Sequence, residues 1–198
     1  MKVGVLALQG DFREHVNFVE ELGEEAVLVR RPGDLKGLDG LIIPGGESTT
    51  ISSLARKWNL FERIRKAVGN GLPVFGTCAG LILLADKPEN GPRTLELMDV
   101  TVERNAYGRQ IESFEAELEV EGINGLKEEP LHGVFIRAPQ VVRLGEGVEV
   151  LARYGDQPVL LRENGTLGAT FHPELTDDKR VHEHFLSMIE EGWLQDET

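Results

Sequence analysis

Four short apolar runs, each cut off by a turn rich in glycine or proline, constrain this chain more than any other feature. Residues 3–8 stop at Gln9-Gly10-Asp11, residues 27–29 at Arg31-Pro32-Gly33, residues 40–43 at Pro44-Gly45-Gly46, and residues 72–75 at Gly76. None alternates apolar with polar side chains. Strands buried on both faces lose that alternation, so the pattern predicts a parallel sheet covered by helices. Helical segments lie between the runs. Residues 12–22 place Val16, Val19 and Leu22 on one face, with Gly23 as a C-terminal cap. Residues 50–58 and 60–68 follow, closed by Gly69-Asn70-Gly71, and residues 81–85 begin another helix.

Beyond residue 95 the texture changes. Residues 100–102, 114–120, 134–137, 148–154, 159–162 and 167–171 are strand-like, with no helical pattern between them, which predicts antiparallel pairing in this half. Asp177-Asp178 offers an N-cap for a last helix with Val181, Phe185, Met188 and Ile189 inside. No repeat or linker interrupts the chain. The expectation is one α/β domain over residues 1–198, in three layers. A mostly parallel central sheet carries helices on both faces, with an antiparallel elaboration in the second half.

Charge narrows the partners. Twenty-one Lys and Arg against 34 Asp and Glu leave a net charge of −13. Such a chain repels nucleic acid backbones and anionic membranes. The single cysteine, Cys78, excludes an internal disulfide or a thiolate zinc cluster. The longest uncharged stretch, residues 72–85, is interrupted by Pro73, Gly76 and Gly80 and is shorter than the ~20 residues of a membrane helix. The apolar start is too short for a signal peptide. A soluble, cytoplasmic protein is expected.

Cys78 sits in Gly76-Thr77-Cys78-Ala79-Gly80, between an apolar strand and a helix. A nucleophile on such a sharp turn needs small neighbours two residues before and after, and Gly76 and Gly80 supply them. A helix N-terminus favours a thiolate, and the Ala79 amide then faces an oxyanion formed on an attacked carbonyl. Free cysteines are more often small buried hydrophobes; the flanking glycines favour the nucleophile here. A thiolate in acyl transfer needs a proton shuttle. Of five histidines, His172 ends a strand in His172-Pro173-Glu174. Pro173 keeps His172 extended, and residues two apart in an extended segment share a side, so Glu174 can orient the ring. His182 and His184 fall in a charged stretch and are expected in solvent. His15 could line a groove, and His132 precedes a strand. No ligand spacing suggests a metal. Pro44-Gly45-Gly46 lets backbone amides approach a ligand, so Gly45 and Gly46 could join Ala79 in an oxyanion hole.

Pro44-Gly45-Gly46-Glu47-Ser48, Gly76-Thr77-Cys78-Ala79-Gly80 and His172-Pro173-Glu174, in that order, resemble the class I (triad-type) glutamine amidotransferases. Leu8-Gln9-Gly10 with Arg13-Glu14-His15, residues 102–110, Ser113-Phe114-Glu115-Ala116, residues 134–139 and residues 172–178 are similar to one branch. That branch is the glutaminase subunit of pyridoxal 5′-phosphate synthase. The likeness runs from residue 1 to about 190. It implies hydrolysis of L-glutamine to glutamate and ammonia, with Cys78 as nucleophile, His172 as general base and acid, and Glu174 as its orienter. It further implies that Gly46, Glu47, Ser48, Arg104, Ile136 and Arg137 bind glutamine and that no cofactor is needed. The implied partner is a PdxS-type (β/α)8-barrel synthase subunit that receives the ammonia for vitamin B6 biosynthesis.

Three other readings compete. A glutaminase of another synthase, such as that for imidazole glycerol phosphate, shares the triad but lacks the segments at 102–105 and 135–139. A Cys-elbow hydrolase of the DJ-1-like type does not need the late His-Pro-Glu. A catalytically silent module does not need an intact triad.

Overall fold

The computed structural model describes residues 1–86, 91–104, 113–121 and 129–192. The first half runs β1 (Lys2–Leu6), α1 (Phe12–Glu21), β2 (Glu25–Val29), β3 (Gly40–Ile43), α2 (Ser48–Lys57), α3 (Leu60–Gly69), β4 (Val74–Thr77) and α4 (Ala79–Leu84). The second half runs β5 (Val100–Glu103), β6 (Ser113–Val120), β7 (Leu131–Ile136), β8 (Gln140–Leu144), β9 (Glu149–Tyr154), β10 (Gln157–Glu163), β11 (Thr166–Ala169) and α5 (Arg180–Glu190). Among the described residues no helix is long and apolar enough to cross a membrane.

Nine strands form one sheet in the order β2-β1-β3-β4-β11-β10-β9-β6-β7. β2, β1, β3, β4 and β11 pair in parallel, and the strands from β11 to β7 pair antiparallel. β5 and β8 make a separate antiparallel pair. The expected change from parallel to antiparallel therefore occurs within one sheet, at β11.

Side-chain alternation sorts the core onto two faces. Ile42 of β3 and Phe75 of β4 point to one side and pack with Val19 of α1 and Val181 and Phe185 of α5. Leu41 and Ile43 of β3 and Val74 of β4 point to the other and pack with Ile51 and Ala55 of α2, Ile64 of α3 and Leu83 of α4. Both faces are buried, which is why these strands show no polar period. A third cluster, including Leu81, Met98, Val100 and Val141, seats the β5–β8 pair.

Some boundaries move. β7 begins at Leu131, so His132 lies inside a strand and bridges Glu115 and Glu117 of β6 at 3.0 Å each. β8 was not anticipated: its side chains are largely exposed and, among the described residues, it pairs only with β5, so its sequence carries no buried-strand signature. α5 starts at Arg180 with Lys179 as N-cap, not at the Asp177-Asp178 pair. Asp178 accepts from the Arg180 amide (3.1 Å) and guanidinium (2.8 Å) instead, so its carboxylate forms a local ion pair outside the cap. The proposed motif segment at 105–110 lies outside the described residues.

The topology places the C-terminal ends of β1, β3, β4 and β11 along one edge. That is where parallel sheets gather ligand-binding groups.

Candidate active site

β4 ends at Thr77, and Cys78 turns the chain into α4 with φ 49° and ψ −103°. A left-handed φ on a residue with a Cβ costs about 1–3 kcal/mol and persists only where surroundings enforce it. Two contacts do so here. The Cys78 amide donates to Ala169 O on β11 at 2.8 Å. α4 also lies tight on β3: a Cβ on Gly80 would fall 2.0 Å from Ile43 O. Gly76 is equally confined, since its Cβ would meet the Gly80 carbonyl carbon at 2.7 Å. The glycines flanking the cysteine are thus required by close approach. The sulfur points to the Ile136 carbonyl at 3.8 Å and shares the cleft with His172.

His172 follows β11 and is held by its amide donating to Val134 O of β7 at 2.8 Å. Its Nδ1 lies 2.7 Å from Glu174 Oε1. The pairing forms, but not along the expected extended segment: Pro173–Leu175 make a 3-10 turn with His172 as its N-cap, and that tight turn brings the two side chains together. Nδ1 carries the proton in that contact, because the carboxylate can only accept. Both side chains are buried. Burial alone would disfavour a charged His172, but the hydrogen bonds and charges of Cys78 and Glu174 outweigh it and raise its pKa to about 10. Burial likewise opposes ionisation of Glu174. The proximity of His15, then the hydrogen bond from His172, prevail and hold it well below the usual carboxylate range.

Behind this triad stands a second polar layer. Thr77 Oγ1 accepts from the Gly45 amide (3.1 Å), lies 3.1 Å from His15 Nε2 and 3.5 Å from Glu174 Oε1. His15 Nδ1 lies 2.9 Å from His182 Nε2. Both histidines are buried, so neither expectation for them holds: His15 lines no surface groove, and His182 is not in solvent. His184 is half-buried, and burial lowers its pKa. The missed signal was spacing. His15 shares the inward face of α1 with Val19 and Leu22, four and seven residues on, and His182 precedes Phe185 by three on α5. A polar residue on an apolar helical face is a buried polar residue that needs partners.

A cleft of about 460 Å³ opens over the sulfur. Gly46, Glu47, Ser48, Cys78, Ala79, Arg104, Ile136, Arg137 and His172 all line it, so the structure gathers nearly every residue singled out from the sequence. Asp11, Ile82 and Leu175 line it too and were not anticipated. Gly45 stands apart. Its amide is committed to Thr77 and its carbonyl accepts from Asp11 N at 3.2 Å, so in this conformation it offers the cleft no donor. It must still be glycine, since a Cβ would lie 2.4 Å from His172 Cε1. Gly46, at φ 148°, backs onto Gln9, whose Oε1 also accepts from the Glu47 amide at 2.7 Å.

The Glu47 carboxylate caps α2, accepting from Thr49 N (3.1 Å) and from Thr50 N and Oγ1 (2.7 Å each). These contacts, led by the Thr50 hydroxyl, lower its pKa to about 2. Arg104 reaches it at 3.7 Å. That places a guanidinium at the rim, beside the N-terminus of α2. Asp11 Oδ2 stands 3.7 Å from His172 Nδ1; burial, the largest cause, raises its pKa. Among the described residues, Asp11, His172 and Glu174 are a group whose potential ligand atoms lie within 4.8 Å of one another. The close Nδ1–Oε1 hydrogen bond already uses one atom of each of the last two, an arrangement suited to moving a proton.

The model of the SNO glutamine amidotransferase family matches residues 5–191. The chain is 53% identical over 190 residues to pyridoxal 5′-phosphate synthase subunit PdxT of Thermosipho africanus, covering 96% of this chain and 99% of that protein. It is 59% identical over 191 residues to the subunit of the same name from Thermus thermophilus, covering 94% and 96%. A crystal structure of a glutamine amidotransferase superposes with a TM-score of 0.89 at 55% identity, over 95% of this chain and 98% of that one. By both its sequence and its fold, this chain belongs to the SNO glutamine amidotransferase family.

Proposed function

We propose that the chain is the glutaminase subunit of a pyridoxal 5′-phosphate synthase, acting as one amidotransferase domain over residues 1–198 in the cytoplasm. The observation that carries the reading is that Cys78 and His172 line one cleft rimmed by arginine, with His172 Nδ1 hydrogen-bonded to the buried Glu174.

The chemistry follows from that arrangement. With the His172 pKa raised to about 10, an imidazolium stands beside the sulfur near neutral pH. The Cys78 thiolate attacks the side-chain carboxamide carbon of glutamine. The amide oxygen gains charge. Ala79, the first residue of α4, has an amide with no acceptor inside the helix, and with Gly46 it lines the cleft where that oxygen would lie. His172 gives its proton to the leaving nitrogen, ammonia departs, and a γ-glutamyl thioester remains. His172 then takes a proton from water, which attacks the thioester carbon and releases glutamate. Glu174 keeps Nδ1 protonated throughout, leaving Nε2 for the reaction. Arg104 and Arg137 offer guanidinium groups to the α-carboxylate, and Glu47, Ser48 and Ile136 complete the wall.

Ammonia is useful to a synthase only if it arrives unprotonated, which favours a docked acceptor. The names of the relatives support a synthase partner that makes pyridoxal 5′-phosphate; that this partner is a PdxS-type (β/α)8 barrel is part of the proposal. The experiment is glutamate release from L-glutamine by the chain alone and with an excess of that barrel subunit. A rate that rises on mixing and vanishes in Cys78→Ala is expected. No release under either condition, from folded chain and active barrel, overturns the glutaminase reading. Stimulation by the imidazole glycerol phosphate synthase barrel instead would overturn the choice of partner.

A further inference from the structure

His15 is fully buried and makes three polar contacts. Nδ1 lies 2.9 Å from His182 Nε2, and Nε2 lies 3.1 Å from Thr77 Oγ1 and 3.5 Å from Glu174 Oε2. Hydrogen-bond satisfaction assigns the proton on the neutral ring. The Thr77 hydroxyl accepts from Gly45 N–H and donates to Glu174 Oε1. One lone pair remains, and a proton on His15 Nε2 fills it. The opposite tautomer would aim a bare nitrogen lone pair at a buried carboxylate. It would also put an N–H on His182 Nδ1, which has no partner, and a stranded buried N–H is rarer than a stranded acceptor. With His182 Nε2–H donating to His15 Nδ1, both problems disappear.

Glu174 needs such a neighbour. Its Oε1 serves His172 and Thr77, whereas its buried Oε2 has no hydrogen bond of its own and faces His15 Nε2. A buried carboxylate oxygen without a nearby proton donor favours protonation, and a protonated Glu174 could not fix the His172 tautomer.

We propose that His15 is a positioning residue for the triad, whose Nε2–H faces the second oxygen of Glu174 and, with Thr77, keeps that carboxylate ionised and turned toward His172. The role rests on the glutaminase reading. The titratable groups around Glu174 are His172 on its own segment, Asp11 and His15 from the α1 side, Cys78 after β4, and His182 on α5. His15 and His172 favour its ionised form and Asp11 opposes it. Burial lowers the pKa of His182 to about 3, so this ring stays neutral.

Two amide variants separate the ends of the ring. His15→Gln carries an N–H to the Nε2 position, facing Thr77 and Glu174. His15→Asn reaches only the Nδ1 position, facing His182. Thermal unfolding first establishes that each is folded. Cys78 is the sole cysteine, so iodoacetamide alkylation followed against pH reads the triad without turnover. In His15→Asn the acid limb of alkylation is expected to move up by about one pH unit or more, the size of one lost charge-stabilising contact. Glutamate release with the barrel subunit should show the same shift. Its kcat should fall about 10–100-fold, the loss typical when an outer partner of an orienting group is removed, with KM for glutamine unchanged. His15→Gln should restore the wild-type limb. Thr77→Val, which removes the bridging hydroxyl at constant shape, should shift the limb in the same direction. Identical limbs in the two amide variants, a shift in His15→Gln alone, or an unmoved limb in Thr77→Val would overturn the proposal. A wild type that alkylates with this limb but releases no glutamate would instead overturn the glutaminase reading.

Discussion

Gly80→Ala tests how the nucleophile is held. The added Cβ would lie 2.0 Å from Ile43 O and 2.9 Å from Ile43 C, well short of the 3.4 Å where ordinary contact begins. Both atoms are backbone, so no side chain can rotate aside; β3 and α4 must separate by more than 1 Å. Overpacking of this kind costs about 1–3 kcal/mol. In a chain of this size each kcal/mol moves Tm by about 2–4 °C, so a drop of about 2–12 °C is expected. Activity should suffer more. Ile43 leads into Pro44-Gly45-Gly46, and Gly80 lies two residues after Cys78, so the displacement separates the two sides of the proposed oxyanion site. A 1 Å misplacement there costs about 100-fold in rate. Gly69→Ala is the matched control. Gly69 ends α3, and its Cβ would meet nothing within 4 Å. Replacing a helical glycine in open space stabilises by about 0.5–1 kcal/mol, so Tm should rise by about 1–4 °C with turnover unchanged. Calorimetric melting and glutamate release below both transitions provide the readings. An unchanged Tm and rate in Gly80→Ala, or equal destabilisation by both variants, would refute the steric argument.

Other perturbations give distinct signatures. Glu174→Gln removes the acceptor that fixes the His172 tautomer, and kcat should fall by about 10³–10⁴ with KM little changed, by analogy with the orienting aspartate of serine proteases. His172 has a folded pKa of about 10 against about 6.5 unfolded, so its contribution to stability is complete below pH 6.5 and is lost as pH rises toward 10. The Tm advantage of wild type over His172→Asn should therefore shrink across that window; an advantage that grows would contradict the raised pKa. Arg104→Ala should raise KM for glutamine about tenfold or more, the worth of one charge-assisted hydrogen bond, and leave kcat nearly intact. Gly46→Ala puts a Cβ 2.6 Å from Gln9 Oε1 at φ 148° and should lower kcat about 10²–10³-fold by displacing an oxyanion donor. Normal turnover in that variant would remove Gly46 from the oxyanion site.

What the sequence disclosed divides along physical lines. Buried parallel strands and the elbow were legible because they are local: an apolar run and a glycine spacing express constraints between neighbours in the chain. The cleft residues were legible only as separate motifs, and the sheet order brings them together. Gly45 shows the limit of motif reasoning. Its place beside Gly46 suggests a second donor, yet the amide turns to Thr77, a direction set by a hydroxyl 32 residues away. β8 was hidden because only Val141 of its five residues is buried, too few to make a recognisable apolar run. His15 and His182 were hidden for the opposite reason, since each lies in a polar stretch of sequence while its helix turns it inward. The two, 167 positions apart, meet in one hydrogen bond beneath the triad. Charge in the chain thus misled where helical period would not have, and the part of the site that local pattern conceals is the layer on which the ionisation of Glu174 depends.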